Sequence, residues 1–232
     1  MKTIGMLGGM SWESTTTYYQ LINREVQKRR GGVHSAKLLI HSCDFAEMAA
    51  LQKSGDWDAA NGNVAEATRA VAAAGADFLL IACNTMHTAS AQCEAATKLP
   101  LLHIADPLGA AIRKDGITRV GLLGSQFTMT RDDVLRGVLA NTYGLDIIVP
   151  QEDDAREVDR VIYEELIRGK FLETSRDAYR QIMARLVARG ADAIILGCTE
   201  HPLLVKEGDT RVPTYDTTVL HAMATVDRAL AG

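Results

Sequence analysis

The sequence predicts an α/β protein with two pseudo-symmetric lobes, each a doubly wound parallel sheet. Short apolar runs rich in Val, Ile and Leu alternate with longer segments of helical periodicity, which is typical of βαβ units. Runs such as Leu38-Leu39-Ile40 are apolar on both faces, as expected for strands that helices cover on each side. A repeat within the chain then indicates two such lobes.

The repeat covers three blocks that recur in the same order. Cys83 and Cys198 end two of the matching apolar runs, and 115 positions (198 − 83) separate them. The matching blocks are 75–85 with 190–200, 5–9 with 121–125, and 99–100 with 212–213. Order and spacing together indicate a diverged duplication.

In the first half, strands are predicted where apolar runs are bounded by Gly, Pro or polar residues, and helices where apolar residues recur at helical spacing. Gly8-Gly9 is interpreted as a tight strand-to-helix turn, and the basic run 28–30 suits a helix C-terminus. The predicted strands are 2–7, 36–42, 77–82 and 101–104. The predicted helices are 14–30, 58–74, 86–97 and 107–114.

The second half follows the same criteria. The acidic run 152–154 suits a helix N-terminus. The predicted strands are 118–123, 145–149, 192–197 and 213–215. The predicted helices are 128–142, 153–168, 175–189 and 217–230.

The lobes are predicted to be 1–99 with 216–232, and 100–215. The change of half falls in a stretch punctuated by Pro100, Pro107 and Gly116, and the last helix is expected to return to the first lobe. Ligand sites favour crevices between packed lobes, so the active site is expected in the cleft between them.

Composition excludes several classes of protein. The chain has 232 residues, 47% of them hydrophobic, and a net charge of −4, which gives no basic excess for nucleic acid or an anionic membrane. The apolar run at the N-terminus reaches glycines too early for a secretory signal, and no stretch approaches the roughly 20 apolar residues of a membrane span. We therefore expect a cytoplasmic protein.

The duplicated cysteines carry the candidate chemistry. Both fall at the carboxyl end of a predicted strand, where open parallel sheets bind ligands. Each is followed by small polar residues, Asn84-Thr85 or Thr199-Glu200, that are predicted to begin a helix. A helix N-terminus favours a thiolate and can hold a carboxylate. Two such thiols facing one carbon would suit racemisation, which needs a base on each face and strictly requires no cofactor.

Other interpretations compete with this one. The four cysteines form no C-x-x-C motif, so reduced thiols are expected, with Cys43 and Cys93 as inert core residues. His87 and His201 lie close enough in sequence to Cys83 and Cys198 to suggest a zinc site, although their spacing matches no standard signature. The glycines at positions 5, 8 and 9 do not form the dinucleotide-binding motif G-x-G-x-x-G, and the chain has no phosphate-binding motif G-x-x-x-x-G-K-[ST]. We expect no metal.

The motifs around both cysteines resemble the aspartate/glutamate racemase family of cofactor-independent amino-acid racemases. The resemblance rests on Cys83-Asn84-Thr85, Gly197-Cys198-Thr199-Glu200 and Gly8-Gly9-Met10-Ser11, and covers essentially the whole chain. Within the family, the run 9–15 and Asp44-Phe45 are most similar to bacterial broad-specificity aspartate/glutamate racemases. The resemblance implies that Cys198 takes the α-proton of the L-enantiomer and Cys83 that of the D-enantiomer, and that the protein is a homodimer.

The resemblance also implies the substrate contacts. Those around the α-carboxylate and ammonium are Met10, Asn84, Thr85, Thr199 and Glu200, with Gln52 and Thr128 near the side-chain end. Met48 and Ile167 stand where some aspartate racemases carry Arg and Lys, so strict aspartate selectivity is not expected.

Five alternatives stay open at this point. A hydantoin racemase or a maleate-type cis–trans isomerase would also use two cysteines, whereas a decarboxylase of the wider superfamily would need one. A redox-responsive protein, or a ligand-binding protein that uses thiols or zinc, would perform no turnover.

Overall fold

A computed structural model describes residues 1–231 and contains seven strands and eleven α-helices within that range. The strands are β1 (Ile4–Gly8), β2 (Leu38–Ser42), β3 (Phe78–Ile81), β4 (Arg119–Gly124), β5 (Asp146–Ile148), β6 (Ala193–Gly197) and β7 (Thr214–Asp216). The helices are α1 (Trp12–Arg30), α2 (Phe45–Ser54), α3 (Trp57–Ala73), α4 (Ser90–Thr97), α5 (Ala105–Lys114), α6 (Gln126–Thr130), α7 (Arg136–Tyr143), α8 (Glu152–Glu164), α9 (Glu173–Ala188), α10 (His201–Leu204) and α11 (Thr217–Leu230). Two 3-10 helices cover Thr85–Ala89 and Leu166–Arg168.

The chain divides into two compact units. Unit 1 contains Met1–Ile104 and the segment that begins at Thr218, and unit 2 is Ala105–Thr217. The lobe boundaries predicted from sequence divide the chain at 99/100 and 215/216. In the structure these divisions fall at 104/105 and 217/218.

Unit 1 is a parallel sheet covered by helices on both faces. Its strand order is β2-β1-β3, with Met6 beside Ile40 and Leu80. Alternate residues along the strands enter two separate apolar clusters, as the two-residue period of a strand requires. Leu7, Leu79 and Ile81 pack with α3 side chains such as Val64, whereas the other face packs against α1 and α11. The second cluster contains Ile4, Met6, Phe78, Leu80, Tyr18, Ile22, Val26, Ala222, Val226 and Ala229.

Unit 2 repeats this plan with one more strand. Its sheet has the order β5-β4-β6-β7, and all strand pairs are parallel. β4 and β6 are apolar and almost entirely buried, as in a sheet covered on both faces. The fold class predicted from sequence, α/β with two parallel-sheet lobes, is confirmed.

Backbone hydrogen bonds match between the units. The N–H of Leu79 donates to the carbonyl of Pro100 over 3.1 Å, and the N–H of Ile194 donates to Pro213 over 2.9 Å. Gly75 and Gly190, which precede β3 and β6, have φ of 98° and 97°. The repeat in the sequence is therefore also a repeat of backbone geometry.

Four predicted elements differ from the structure, and one of them is the predicted helix 86–97, which is divided into the 3-10 helix Thr85–Ala89 and α4. The predicted strand 101–104 is reduced to a single bridge between Leu79 and Leu101, because the N–H of Ile104 bonds to the His87 ring instead of a strand. The predicted helix 128–142 is broken into α6 and α7, since Arg131 is extended. The predicted helix 153–168 is divided into α8, which ends at Glu164, and a 3-10 turn over Leu166–Arg168. The division falls at Glu165 because its backbone leaves helical geometry.

One helix, α2, was not predicted. It is capped by Asp44, whose side chain accepts a hydrogen bond from the N–H of Ala46. The helix predicted to begin at Thr199-Glu200 is α10, a single turn that starts at His201. Within residues 1–231, none of the helices combines the length and apolar character needed to cross a bilayer.

Candidate functional site

In unit 1, the loop from β1 to α1 reaches the same edge of the sheet as Cys83. The N–H of Gly9 donates to Thr15 Oγ1 over 2.8 Å, and that hydroxyl donates to the Ser11 carbonyl over 2.9 Å. Gly9 has φ of 85°, and a Cβ there would collide with the Cys43 carbonyl oxygen. Glycine is therefore required where the loop passes β2.

Cys83 follows β3 and is buried. It belongs to the apolar cluster that also contains Met10, Met48 and Met86. The carbonyl of Ala82, the preceding residue, lies 3.4 Å from the hydroxyl of Ser14 on α1. The structure thus places Cys83 and Met10, both predicted site residues, in one cluster.

The predicted polar contacts of unit 1 are also buried. Gln52 on α2 donates through Nε2 to Met86 Sδ over 3.1 Å, which links it to the cluster around Cys83. Asn84 and Thr85 are buried immediately after Cys83. All five predicted site residues of this unit are therefore buried. Met10 and Cys83 belong to the cluster, Asn84 and Thr85 follow Cys83 in the chain, and Gln52 contacts the cluster through Met86.

His87 is bonded to the residue that carries the candidate thiol. Its Nδ1 lies 2.8 Å from the Cys83 carbonyl oxygen, and its Nε2 accepts from the N–H of Ile104 over 3.2 Å. Complete burial, with His103 and His221 nearby, holds the pKa of His87 well below its usual value. Both ring nitrogens are thus engaged by the backbone, which disfavours a zinc ligand role.

In unit 2, Cys198 follows β6 and is only partly buried. Its Sγ lies 3.1 Å from Glu200 Oε2, and Thr199 Oγ1 donates to the same oxygen over 2.7 Å. The side chains of Thr199 and Glu200 are buried. A carboxylate is therefore placed to accept the thiol proton of Cys198.

Thr128 lies on the turn that follows the neighbouring strand. β4 and β6 pair so that Gly124 is beside Gly197, and Ser125 and Cys198 follow directly. Ser125 Oγ accepts from the N–H of Thr128 over 3.3 Å, with the two hydroxyls 3.2 Å apart. The ends of two paired strands thus bring Thr128 and Cys198 to one edge of the sheet.

His201, three residues after Cys198 in the chain, is buried. The Tyr179 hydroxyl donates to the Val158 carbonyl over 3.1 Å, so it accepts from His201 Nε2 at 3.2 Å. Burial lowers the pKa of His201 to about 3 and raises that of Tyr179 well above its usual value. Among residues 1–231, His201 Nδ1 meets no hydrogen-bond partner. In the same range, no group of three or more His, Cys, Asp or Glu side chains is arranged for a metal ion.

The helices that follow the two thiols differ in length. A 3-10 helix of five residues follows Cys83 and runs directly into the eight residues of α4, whereas only four residues of α-helix follow Cys198. Aligned peptide dipoles need several turns to add up, so the single turn after Cys198 provides little of the predicted dipole effect. The side chains around Cys198 must therefore supply most of its local electrostatics.

Two residues that contact the end of β3 in unit 1 were not predicted from the sequence. Ser14, which contacts the Ala82 carbonyl, lies inside the motif 9–15 that carried the family resemblance. His87 was considered only as a metal ligand. Its position four residues after Cys83 was the available signal, because that spacing allows a side chain to return to the backbone of the preceding turn.

Comparison with known proteins identifies the family. The family model described as Asp/Glu/Hydantoin racemase matches residues 7–225. The Broad specificity amino-acid racemase RacX of Bacillus subtilis is 23% identical over 231 residues, covering 98% of each chain. A crystal structure of a candidate Asp/Glu racemase from Yersinia pestis has a TM-score of 0.91 and 46% identity, covering 99% of this chain and 100% of the other.

A crystal structure of an aspartate racemase homologue from Pyrococcus horikoshii has a TM-score of 0.78 and 30% identity, covering 99% of each chain. Glutamate racemase from Francisella tularensis, at 14% identity, shares the fold with a TM-score of 0.69, covering 99% of this chain and 81% of the other. Full-length matches to amino-acid racemases, which are isomerases, thus agree with the family model. This chain belongs to the Asp/Glu/hydantoin racemase family.

Proposed function

We propose that this protein is a cofactor-independent amino-acid racemase in which Cys83 and Cys198 are the two bases. The observation that carries the proposal is that each cysteine lies within two residues of the end of an equivalent strand, β3 or β6, of a duplicated fold. Membership of a racemase family supports the same reaction. Aspartate and glutamate are the substrates that the resemblance implies.

The reaction requires one proton to leave the α-carbon and another to arrive on its opposite face. One cysteine, as thiolate, takes the α-proton and becomes a thiol, and the carbon is left as a planar carbanion. The other cysteine donates its thiol proton to the opposite face and becomes a thiolate. In the proposed assignment, Cys198 takes the proton of the L-enantiomer and Cys83 that of the D-enantiomer. Each thiol must then lie on its own side of one α-carbon.

Glu200 gives Cys198 a proton acceptor. With 3.1 Å between Sγ and Oε2, the thiol proton can pass to the carboxylate and leave a thiolate. The Thr199 hydroxyl donates to the same carboxylate oxygen and fixes its direction. We therefore assign Glu200 a part in activating Cys198 as well as in binding substrate.

The substrate contacts stay those implied by the resemblance. Met10, Asn84, Thr85, Thr199 and Glu200 would surround the α-carboxylate and ammonium, with Gln52 and Thr128 near the side chain. Among residues 1–231, no Lys or Arg side chain is buried. A buried carboxylate normally needs a cation, so weak discrimination among side chains is proposed. RacX, a broad-specificity racemase by name, supports this.

Location and assembly remain predictions from the sequence. The resemblance implies a homodimer, and the composition favours the cytoplasm.

Solvent exchange tests the proposed reaction. The protein is incubated in heavy water with each enantiomer of aspartate and glutamate, and with a hydantoin to test the alternative within the family. Mass spectrometry and chiral chromatography should find deuterium at the α-carbon together with the antipode. If neither forms with any amino acid of a broad panel, the racemase proposal fails.

Serine variants test the two-base scheme. Cys83→Ser and Cys198→Ser should each lower racemisation in both directions by about 10³-fold or more, because a hydroxyl is a far weaker acid than a thiol. Cys43→Ser and Cys93→Ser are matched controls, since burial raises the pKa of both thiols. Full activity in either active-site variant would rule out two thiol bases.

A further inference from the structure

His87 connects the end of β3 to the segment that closes unit 1. Its ring bridges the Cys83 carbonyl, 2.8 Å from Nδ1, and the Ile104 N–H, 3.2 Å from Nε2. A carbonyl oxygen can only accept and a backbone N–H can only donate. The hydrogen must therefore be on Nδ1, which makes His87 a neutral imidazole with one defined tautomer.

The surroundings keep His87 in that state. The ring is buried, and the His103 and His221 rings lie 4.6 and 5.6 Å away between centroids. His221 is itself engaged, since its Nε2 donates to the Leu102 carbonyl over 2.9 Å and its Nδ1 accepts from Tyr18. Within residues 1–231, the groups that shift the pKa of His87 are the His103 and His221 rings and the backbone of Cys83 and Asn84, with no carboxylate among them to stabilise a cation.

Unit 2 holds its thiol residue in a different way. The Cys198 carbonyl accepts from the backbone N–H of His201 over 3.1 Å, while the His201 ring bonds to Tyr179. A substitution of His201 keeps that backbone bond, but a substitution of His87 by a residue with no donor near the position of Nδ1 removes the side-chain bond to Cys83. His201 is thus a natural control for His87.

We propose that His87 is a positioning residue for Cys83, holding the peptide carbonyl of Cys83 through its Nδ1–H. The peptide unit is planar, so fixing this carbonyl also fixes the direction of the Asn84 N–H. The Cα–Cβ bond of Cys83, and with it the thiol, is oriented by the same constraint. The consequence for turnover rests on the proposed racemase function, whereas the consequence for the thiol does not.

Two amide variants separate positioning from simple support of the fold. Asn places its amide near Nδ1, so His87→Asn can still donate to the Cys83 carbonyl. Gln places its amide near Nε2, so His87→Gln can still accept from Ile104 but loses the bond to Cys83. Each variant removes one hydrogen bond, and similar losses of melting temperature are expected.

The turnover number should depend on whether the side chain at position 87 still donates to the Cys83 carbonyl. We expect His87→Asn to keep kcat within a few-fold, and His87→Gln to lower kcat by about 10–100-fold with little change in KM, as for a small misplacement of a reacting group. His201→Gln should lower stability with kcat kept. Equal kcat in the Asn and Gln variants would overturn the proposal.

Thiol alkylation provides a readout that needs no turnover. In a Cys43→Ser, Cys93→Ser, Cys198→Ser background, the rate of Cys83 alkylation by iodoacetamide is measured against pH. His87→Gln should shift this rate profile and His87→Asn should keep it. If no substrate is racemised but the two variants still differ in alkylation, the proposed function fails and the positioning role stands. If turnover is present and the two alkylation profiles coincide, only the positioning role fails.

Nitrogen NMR of the unmodified protein covers the case in which the variants do not fold. The His87 ring should show a proton on Nδ1 and a bare Nε2 across neutral pH. A proton on Nε2, or a charged ring, would overturn the proposal.

Discussion

The two thiol-bearing strand ends share a backbone but differ in the side chains around them. Cys83 is buried beside methionines, and a histidine side chain holds its carbonyl. Cys198 is more exposed, its carbonyl is held by backbone, and a carboxylate lies 3.1 Å from its sulfur. In the 115-residue register, the position of Glu200 is occupied by Thr85 in unit 1.

The difference indicates how a duplicated site would divide the proposed reaction. The fold preserves the strand end that presents each sulfur, while in the proposed mechanism local side chains would set how each sulfur exchanges its proton. Cys198 has a carboxylate that can accept its proton, whereas the matching position near Cys83 offers a hydroxyl. The two bases are therefore expected to be chemically unequal.

Removing the carboxylate tests this inequality most strongly. Glu200→Gln keeps the size and one acceptor oxygen of the side chain but cannot take a proton at neutral pH. We expect kcat to fall by about 100-fold, or about 2.7 kcal/mol of barrier. Because L- and D-enantiomers have equal free energy, kcat/KM must fall equally in both directions. The inequality of the two bases should instead appear in the rate at which deuterium replaces the α-proton without inversion. This rate is measured separately from the L- and the D-enantiomer.

Glu165→Gln is the matched control for that variant. Glu165 is another buried carboxylate of unit 2, but its oxygens accept from Arg160 and Ser175. This change should lower stability and leave kcat of the folded enzyme intact. A higher KM with unchanged kcat in Glu200→Gln would restrict Glu200 to substrate binding.

Acid stability tests a feature that the units share. Burial lowers the pKa of His221 in unit 1 and of His201 in unit 2 to about 3. Between about pH 6.5, where an unfolded histidine titrates, and about pH 3, the unfolded chain binds protons that the folded one does not. Each histidine should therefore reduce the free energy of unfolding by about 1.4 kcal/mol for each pH unit lowered through that window, with no contribution above it.

Urea unfolding at several pH values measures this slope. His201→Gln and His221→Gln should each reduce the slope by the same amount, although each also lowers stability at pH 7. The carboxylates of the protein also titrate in this range, but they contribute the same slope to the wild type and to each variant. Their contribution therefore cancels when the two slopes are compared. An unchanged slope in one variant would show that its histidine is protonated in the folded state.

Local sequence patterns predicted the sheets and the strand-end positions of both cysteines because those features depend on short-range order. β3 and β6 are continuous apolar runs, and the residues that follow each run necessarily lie at the carboxyl edge of its sheet. Thr199 and Glu200 lie at that edge for the same reason, and their roles stay predictions.

Features that depend on distant partners could not be predicted. The segment 101–104 has a strand-like composition, but the His87 ring bonds the N–H of Ile104 and ends the pairing. α2 is a different case, because its Asp44 cap is a local signal: the Asp44 side chain accepts from the N–H of Ala46, two residues along the chain. The dipole expected at Cys198 failed because the sequence indicated that a helix begins after this residue but not how soon it ends.

The smallest expected effect concerns two equivalent glycines in the central strands. A Cβ on Gly5 in β1 would lie 2.8 Å from Ala76 Cβ, an atom fixed to the backbone. A Cβ on Gly121 in β4 would lie 2.8 Å from Ile194 Cδ1, the movable end of a side chain. Gly5→Ala should therefore destabilise the protein by about 1 kcal/mol more than Gly121→Ala, within the usual range for overpacking. Urea unfolding at pH 7 measures both, and a larger loss for Gly121→Ala would mean that the second unit is packed more rigidly around its central strand than the first.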